Sequence, residues 1–541
     1  MTEDLRLELV NGEFQNFFGT AVAVSGDWMV VSARAVNAQG LVNSGEIYFY
    51  HRGPSGWTWT QAFSPADAVP SMTLGWGVVI DGDRVAVNAT NNPNGVVYIL
   101  ENHSGIWEQV ARLEDRPDYA YAFGGRLALS GNTLFAGAFY ADYAGPHWGA
   151  VYVYDRQPNG DWDLSQLILP PPNPPGVTSS PHFGEAVAIS GDWAAVGMAG
   201  HQQIVLPGGG IGYLEDRVFV YQRVGGQWQL AQTIENPDPI NPGDTNADFG
   251  FALAMHGGTL AVGAPRFEDP YGLPRGEVML FDLQGSQWAY SQTIAASQAF
   301  TDLSSPVLTD GFGGAIAFDG SSILVGARYA KRRPASMASG QAYLFQRNWL
   351  GTWEETRVFQ EVGAAQIGGW FGFSVSIERG FAVVGDFTGM DTSGVLSGTA
   401  LIYELDHGLQ ICDGVVNSTG EAAHLRVNGS TTAGDGLVTC RIEDAVPGQA
   451  GLLVASQAPG FVAHPGGSMG NLCLSGALAR VGVALADGEG RMLFNLDTSA
   501  MPLNPAVAIG AGDTWCFQLY YRDHLAGTTS NFSNAVEVLF D

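Results

Sequence analysis

Phe249-Gly250-Phe251-Ala252-Leu253-Ala254-Met255-His256-Gly257-Gly258-Thr259-Leu260-Ala261-Val262-Gly263-Ala264-Pro265 is the stretch whose reading decides the fold. A Phe-Gly pair opens it, another glycine stands seven residues after the first, and a small-residue segment, Val-Gly-Ala-Pro, closes it. The Phe-Gly pair or a close variant recurs at Phe18-Gly19, Leu74-Gly75, Phe123-Gly124, Phe183-Gly184, Phe312-Gly313 and Phe371-Gly372, with successive starts 56, 49, 60, 66, 63 and 59 residues apart. The second glycine recurs at Gly26, Gly82, Gly131, Gly191 and Gly320, and only the seventh copy has Arg379 there, with Gly380 beside it. A fixed interval inside a variable period marks a rigid local unit joined by loops of free length.

Between the glycines the residues alternate, as in Thr20-Ala21-Val22-Ala23-Val24-Ser25 and Glu185-Ala186-Val187-Ala188-Ile189-Ser190, the period of a strand. The second glycine then sits in a tight turn such as Ser25-Gly26-Asp27, where positive φ carries no steric cost. A second strand ends in the small-residue segment, and a third carries alternating aromatics, as in Val151-Tyr152-Val153-Tyr154. A fourth begins at Trp57, Trp107, Trp162, Trp228, Trp288 or Trp353. Four-stranded units in this number predict a seven-bladed β-propeller. A row of independent sandwiches is disfavoured because so short and glycine-rich a unit has too little core to stand alone. The seventh repeat lacks a Trp-led strand. The segment Leu5-Arg6-Leu7-Glu8-Leu9-Val10 alternates correctly and is expected to pair with Leu401-Ile402-Tyr403, closing the ring and removing two edges.

Phe249-Gly250 followed by Val262-Gly263-Ala264-Pro265 resembles the FG-GAP repeat of integrin-α-type propellers, in the variety found in secreted bacterial proteins, over about residues 1–408. The resemblance implies an extracellular, secreted protein. Integrin-type repeats often carry a calcium loop between the two motifs. Here that place is taken by Ser-Gly-Asp-like turns, too short to supply the six to eight oxygens calcium takes. No cofactor is therefore expected, and calcium is left open without its family-style loops.

All four cysteines, Cys412, Cys440, Cys473 and Cys516, follow the propeller, in a second domain over residues 409–541. Two pairs in a small glycine-rich domain suggest disulfides and an oxidising compartment, with three pairings open. This segment is similar to a β-sandwich module at the end of secreted bacterial proteins, judged from Asn417-Ser418-Thr419-Gly420, Gly470-Asn471-Leu472-Cys473-Leu474 and Asp513-Thr514-Trp515-Cys516-Phe517. That resemblance implies Cys412 with Cys473 and leaves Cys440 with Cys516.

Of the 541 residues, 14% are charged and 46% hydrophobic, with 73 glycines, 14 tryptophans and a formal charge of −29, a profile of neither a disordered chain nor a coiled coil. The 24 basic residues include one lysine, and their one cluster is Lys331-Arg332-Arg333, read as a solvated loop, so a nucleic-acid partner is not expected. No apolar run is long enough for a transmembrane helix, and Met1-Thr2-Glu3-Asp4 lacks signal-peptide features, so the chain reads as a processed form. The sequons at Asn88, Asn102, Asn417, Asn428 and Asn531 read as incidental.

Catalytic motifs are sparse. Gly466-Gly467-Ser468-Met469-Gly470 matches G-x-S-x-G formally but lies in a glycine-rich loop with no helical pattern after it. Asp244-Thr245-Asn246-Ala247-Asp248 alternates as a metal loop does, yet its glycine comes late and no distal Glu completes it, so no metal site is assigned. Cysteine spacing argues against zinc, since no C-x-x-C or C-x-x-H occurs.

Blade topology places the first-to-second and third-to-fourth connections on one face and all others on the opposite face. Length varies almost wholly in the second set, including residues 138–149, 198–217, 265–276, 327–340 and 386–398 within blades. Loops on a rigid scaffold carry function. Tyr140, Tyr143, His147, Trp148, Arg266, Phe267, Tyr271, Arg328 and Tyr329 are the candidate ligand contacts, able to stack on sugars or grip carboxylates, with ordinary loop packing as the alternative for each. The function expected is non-catalytic extracellular recognition or adhesion, with a glycan or a protein surface as partner. The competing readings are a propeller enzyme such as a polysaccharide lyase, and a structural matrix component.

Overall fold

The computed structural model describes residues 5–540 except 10–12, 54–55, 91–94, 115–119, 122, 144–146, 173–180, 201–202, 206–210, 214–215, 238–247, 267–274, 298–309, 331–338, 348–350, 362–368, 379, 406–407, 430–437, 489 and 524–529. Two compact units are present: residues 1–346, 353–378 and 382–403 in one, and 347–352, 379–381 and 404–541 in the other.

The first unit holds seven four-stranded sheets. Their first strands are Phe18–Ser25, Leu74–Asp81, Arg126–Ser130, Ala186–Ser190, Ala252–His256, Phe312–Phe318 and Ser374–Glu378. Each first strand touches that of the next sheet, and Ser374–Glu378 touches Phe18–Ser25, so the sheets close into a ring with these strands innermost. The seventh sheet takes its outer strand from the amino-terminal segment. Leu5–Leu7 runs antiparallel to Thr399–Glu404, with Leu5 opposite Ile402 and Leu7 opposite Ala400. The expected strand to Val10 stops at Leu7, where side-chain contacts take over from the ladder. Arg6 Nη1 donates to Glu361 Oε1 at 2.7 Å, and Glu8 Oε2 accepts from the Thr392 amide at 2.8 Å.

The recurring glycines have a packing explanation. A Cβ added at Gly137, Gly197, Gly263, Gly326 or Gly385, the glycine of each small-residue segment, would lie 2.1–2.2 Å from the carbonyl oxygen of Gly184, Gly250, Gly313, Gly372 or Gly19, the Phe-Gly glycine of the following blade. Motif glycine thus meets motif glycine across each of these seams. The first two blades carry Ser32 and Asn88 at this position, and Asn88 bridges the seam itself, donating to the Gly124 carbonyl at 2.6 Å and accepting from the Gly77 amide at 2.7 Å. Asn88 is fully buried, as is Asn531, and Asn417 nearly so, which removes three of the five sequons from the surface.

The outer strands are stitched as well. Gln61, Gln166, Gln232 and Gln292 each donate to the backbone carbonyl, and accept from the amide, of the tryptophan that leads the next outer strand, at 2.7–3.0 Å. Beside the short turns, Ser25, Asp81, Ser190 and Glu378 accept from the amides of Gly82, Gly131, Gly257 and Gly26. The last of these bonds joins the seventh blade to the first.

The second unit is a β-sandwich. A five-stranded sheet, with Thr514–Arg522 at its centre, and a three-stranded sheet enclose a core of Leu425, Cys440, Leu453, Phe494, Trp515, Phe517 and Tyr521. Cys412 and Cys473 form the disulfide that the family resemblance implies. The expected Cys440–Cys516 bond is corrected: both are buried free thiols. Strand alternation is the reason. Trp515, Phe517, Leu519 and Tyr521 face the core that contains Cys440, whereas Cys516 points to the opposite side of its sheet, with Val454 and Leu474. Gln518, one step along on that side, braces the disulfide strand by accepting from the Cys473 amide at 2.9 Å and donating to the carbonyls of Asn471 and Ser533.

Candidate functional site

The chain enters each innermost strand from the long-loop face. The residues flanking each Phe-Gly pair, and the residue just after each second strand, therefore gather near the axis. On this rim the sixth, seventh, first and second blades contribute Arg328 and Tyr329, then Trp370, Phe373 and Phe387, then Phe17 and Arg34, then Trp76. Their rings touch in succession: Tyr329–Trp370 at 5.4 Å, Trp370–Phe387 at 5.1 Å, Phe387–Phe373 at 4.6 Å, Phe387–Phe17 at 5.6 Å and Phe373–Trp76 at 6.5 Å between centroids.

Two guanidinium groups lie against this wall. Arg34 stacks between Phe17 at 4.4 Å and Trp76 at 4.7 Å, and Arg328 covers Tyr329 at 4.9 Å and Phe373 at 5.5 Å. On the third and fourth blades Arg126 stands 5.7 Å from the Phe139 ring, and exposed Tyr140 is approached edge-on by His147 at 5.5 Å and His182 at 5.0 Å. Tyr140 is placed by a short ribbon in which it pairs with Tyr121. His182 Nδ1 is 3.6 Å from Glu185 Oε2. Burial pushes the Arg34 guanidinium below its ordinary pKa. Arg126 is lowered by burial and by the like charge of Arg328, against the opposing pull of Glu185 and Tyr140.

A buried carboxylate sets the wall. Asp386 replaces the alanine found at this place in most blades, and its Oδ1 accepts from the Trp370 amide at 3.0 Å and from the amide and hydroxyl of Thr388 at 3.1 and 3.0 Å. Burial holds its carboxyl above the usual carboxylate range despite those hydrogen bonds.

Of the sequence-derived candidates, Arg328, Tyr329, Tyr140 and His147 come to the rim. Tyr143 turns into the blade, its hydroxyl accepting from Tyr152 at 3.0 Å. Trp148 is half-buried, and its carbonyl accepts from the Phe183 amide in the blade seam. Arg266 is neutralised by Asp248 at 3.1 Å. Phe267 and Tyr271 lie outside the described residues, as do Asp244–Ala247 and Lys331–Arg333. Sequence reasoning missed Arg34, Trp76, Arg126, Trp370, Phe373 and Phe387. The signal was present in register: each adjoins a Phe-Gly pair or the end of a second strand.

Among the described residues no group of three or more His, Cys, Asp or Glu side chains could hold a metal. Ser468 is buried and donates to the Gly470 carbonyl at 2.9 Å, while His464 Nδ1 faces the carbonyls of Ser468 and Met469 rather than the hydroxyl. No helix is long and apolar enough to cross a membrane.

A family model described as FG-GAP repeat matches residues 2–50 and 307–345, so the chain carries FG-GAP repeats. No curated protein matches the sequence. Solved structures that resemble it include the periplasmic gluconolactonase of Pseudomonas aeruginosa, at 16% identity and TM-score 0.38, covering 64% of this chain and 87% of that one. A protein from Lactobacillus plantarum follows at 12% identity and TM-score 0.40, covering 64% and 86%. A structure from Bacteroides uniformis, described as a candidate 6-phosphogluconolactonase, has 14% identity and TM-score 0.41, covering 70% and 98%. These neighbours correct the expectation of a protein without catalytic activity. Lactonases stand among the propellers it resembles, so a non-catalytic role does not follow from this fold.

Proposed function

We propose that the long-loop face is the ligand-recognition surface of a secreted, extracellular protein, and that a glycan or a protein surface is what it recognises. One observation carries this reading: rings from four consecutive blades form a continuous wall beside the axis, with Arg34 and Arg328 held over its rings and Trp76 and Tyr140 exposed. Aromatic faces suit the apolar faces of sugars and of protein side chains. The Cys412–Cys473 disulfide supports an oxidising compartment. A screen of glycans and extracellular proteins, run with the native chain and with Trp76→Ala, tests it. Binding is expected to fall in the variant, and binding untouched by substitutions at Trp76, Tyr140 and Tyr329 would remove the assignment.

A second reading is favoured by the placing of exposed Tyr140 between His147 and His182, within electrostatic reach of Arg126. On a uronate, Arg126 would neutralise the carboxylate while Tyr140 or a histidine took the C5 proton. The C–H electron pair becomes the C4=C5 bond, and the C4–O bond breaks with its pair leaving on the departing sugar oxygen, which is then protonated. Unsaturated products lost in Tyr140→Phe would establish it; no turnover of any polyuronate would dismiss it.

A further inference from the structure

Resting on the recognition reading above, the geometry points to an acidic glycan as the ligand, its anionic groups held by Arg34, Arg126 and Arg328 around the rim and its sugar faces laid on the aromatic wall between them. Several other arginines of this chain are matched to carboxylates: Arg6 to Glu361, Arg112 to Asp67, Arg156 to Glu101, Arg223 to Asp155 and Arg426 to Glu443. Among the described residues no carboxylate lies within ion-pair distance of Arg34, Arg126 or Arg328. They meet ring faces instead, and Arg126 donates only to the Gly125 carbonyl at 3.1 Å.

A ring face attracts a guanidinium but accepts none of its in-plane hydrogen bonds. Contact with a ring therefore leaves in-plane donors unused, and Arg34 Nε is buried without a partner among the described residues. In a chain with 53 carboxylates and 24 basic residues, three guanidinium groups held on rings rather than on carboxylates gather at one end of the axis. Arg126 and Arg328 come from the third and sixth blades of the ring and act on each other as like charges. An anion placed among them would relieve that repulsion and take planar, charge-assisted hydrogen bonds. Glu185, the carboxylate that faces Arg126, is itself engaged by His182, and Arg266 is already engaged by Asp248. Rings, two of them exposed at Trp76 and Tyr140, share the rim with Arg34, Arg126 and Arg328, an arrangement that suits a chain of sugars carrying a charge on each residue better than an acidic peptide.

Calorimetric titration of the full chain with a galacturonate hexamer, a sulfated heparin hexamer, uncharged cellohexaose and a poly-glutamate peptide tests the assignment. One or both acidic sugars are expected to bind, with affinity falling steeply in salt, and Arg126→Gln or Arg328→Gln to weaken them about tenfold to a hundredfold. Arg328→Lys, which keeps the charge but not the planar fork of donors, is expected to fall between. The two acidic arms separate carboxylate from sulfate. Cellohexaose binding as well as the acidic sugars, with the arginine variants unaffected but Trp76→Ala impaired, overturns the charge assignment and leaves the recognition surface standing. Poly-glutamate binding in place of both acidic sugars also overturns it. No response to any probe, together with no effect of Trp76→Ala on the wider screen, removes both. Unchanged thermal midpoints in the glutamine variants make any loss of binding one of contact rather than of folding.

Discussion

The propeller and the carboxy-terminal sandwich secure their strands by different means. The propeller spreads its fastenings over many sites. Glycine meets glycine at the seams, glutamine clasps tryptophan at the rim, and side chains cap the turn amides, each bond repeated from blade to blade. The sandwich fastens its own strands with one disulfide and with single buried polar side chains, Gln518, Asn531 and Asn534 among them, none repeated from strand to strand. A ring with no free seam divides strain among many equivalent contacts, whereas a two-sheet stack with open edges adds a covalent link to contacts that are each made once.

The largest test of that contrast is to remove the covalent link. Cys412→Ser with Cys473→Ser should lower the stability of the sandwich by about 4 kcal/mol on the chain-entropy account of a 61-residue separation. Calorimetry should show that transition fall while the propeller's stays in place, and a common shift would mean the two units unfold together. Next comes Gly263→Ala, which drives a methyl group to 2.1 Å from the Gly313 carbonyl and should cost the propeller about 3 kcal/mol, read as a lowered denaturation midpoint. An unchanged midpoint would show that the seams are slack. Gln232→Ala removes one clasp and should cost about 1–2 kcal/mol. Ala111, which occupies the glutamine's place on the second blade, offers the converse: Ala111→Gln should stabilise by up to about 1 kcal/mol.

Asp386 supplies a pH-dependent test. Its folded carboxyl is raised above the unfolded value, so the native state binds the proton more tightly. Its contribution to stability is therefore greatest below the unfolded pKa and is lost as pH rises through the folded one. Asp386→Asn keeps the acceptor for the Trp370 amide and should stabilise the propeller at neutral pH while flattening this part of the profile. The buried thiols give the smallest effect. Burial and the neighbouring Glu537 push Cys516 up to about 12, so neither it nor Cys440 should react with a thiol reagent at neutral pH until the sandwich unfolds.

The ring was legible because repetition made its parts countable. Six Trp-led strands for seven Phe-Gly motifs left one strand to find, and Leu5–Leu7 alternates as that strand must. The cysteine pairing was half legible, since the second pair depends on which face of its sheet each residue takes. Cys516 alternates with Trp515 and Phe517, and that parity sends it away from Cys440. The rim was the least legible. Loop length drew attention outward to Arg266, Tyr143 and Trp148, whereas proximity to the axis depends on register against the motif. That register selects residues such as Arg34 and Arg328, which share one place after the second strand, and Arg126 and Trp370, which have no counterpart of the same residue type in the other blades.

The strand at Leu5–Leu7 also has a bearing on how the chain is made. Six of the sheets are built from neighbouring stretches of chain, whereas the seventh pairs Leu5–Leu7 with Thr399–Glu404 across almost the whole propeller, a closure with a larger entropic cost than any hairpin in the ring. Any partly folded form in which Leu5–Leu7 has not met Thr399–Glu404 is therefore an unlatched horseshoe, with the Thr399–Glu404 edge of its seventh sheet lacking an outer cover.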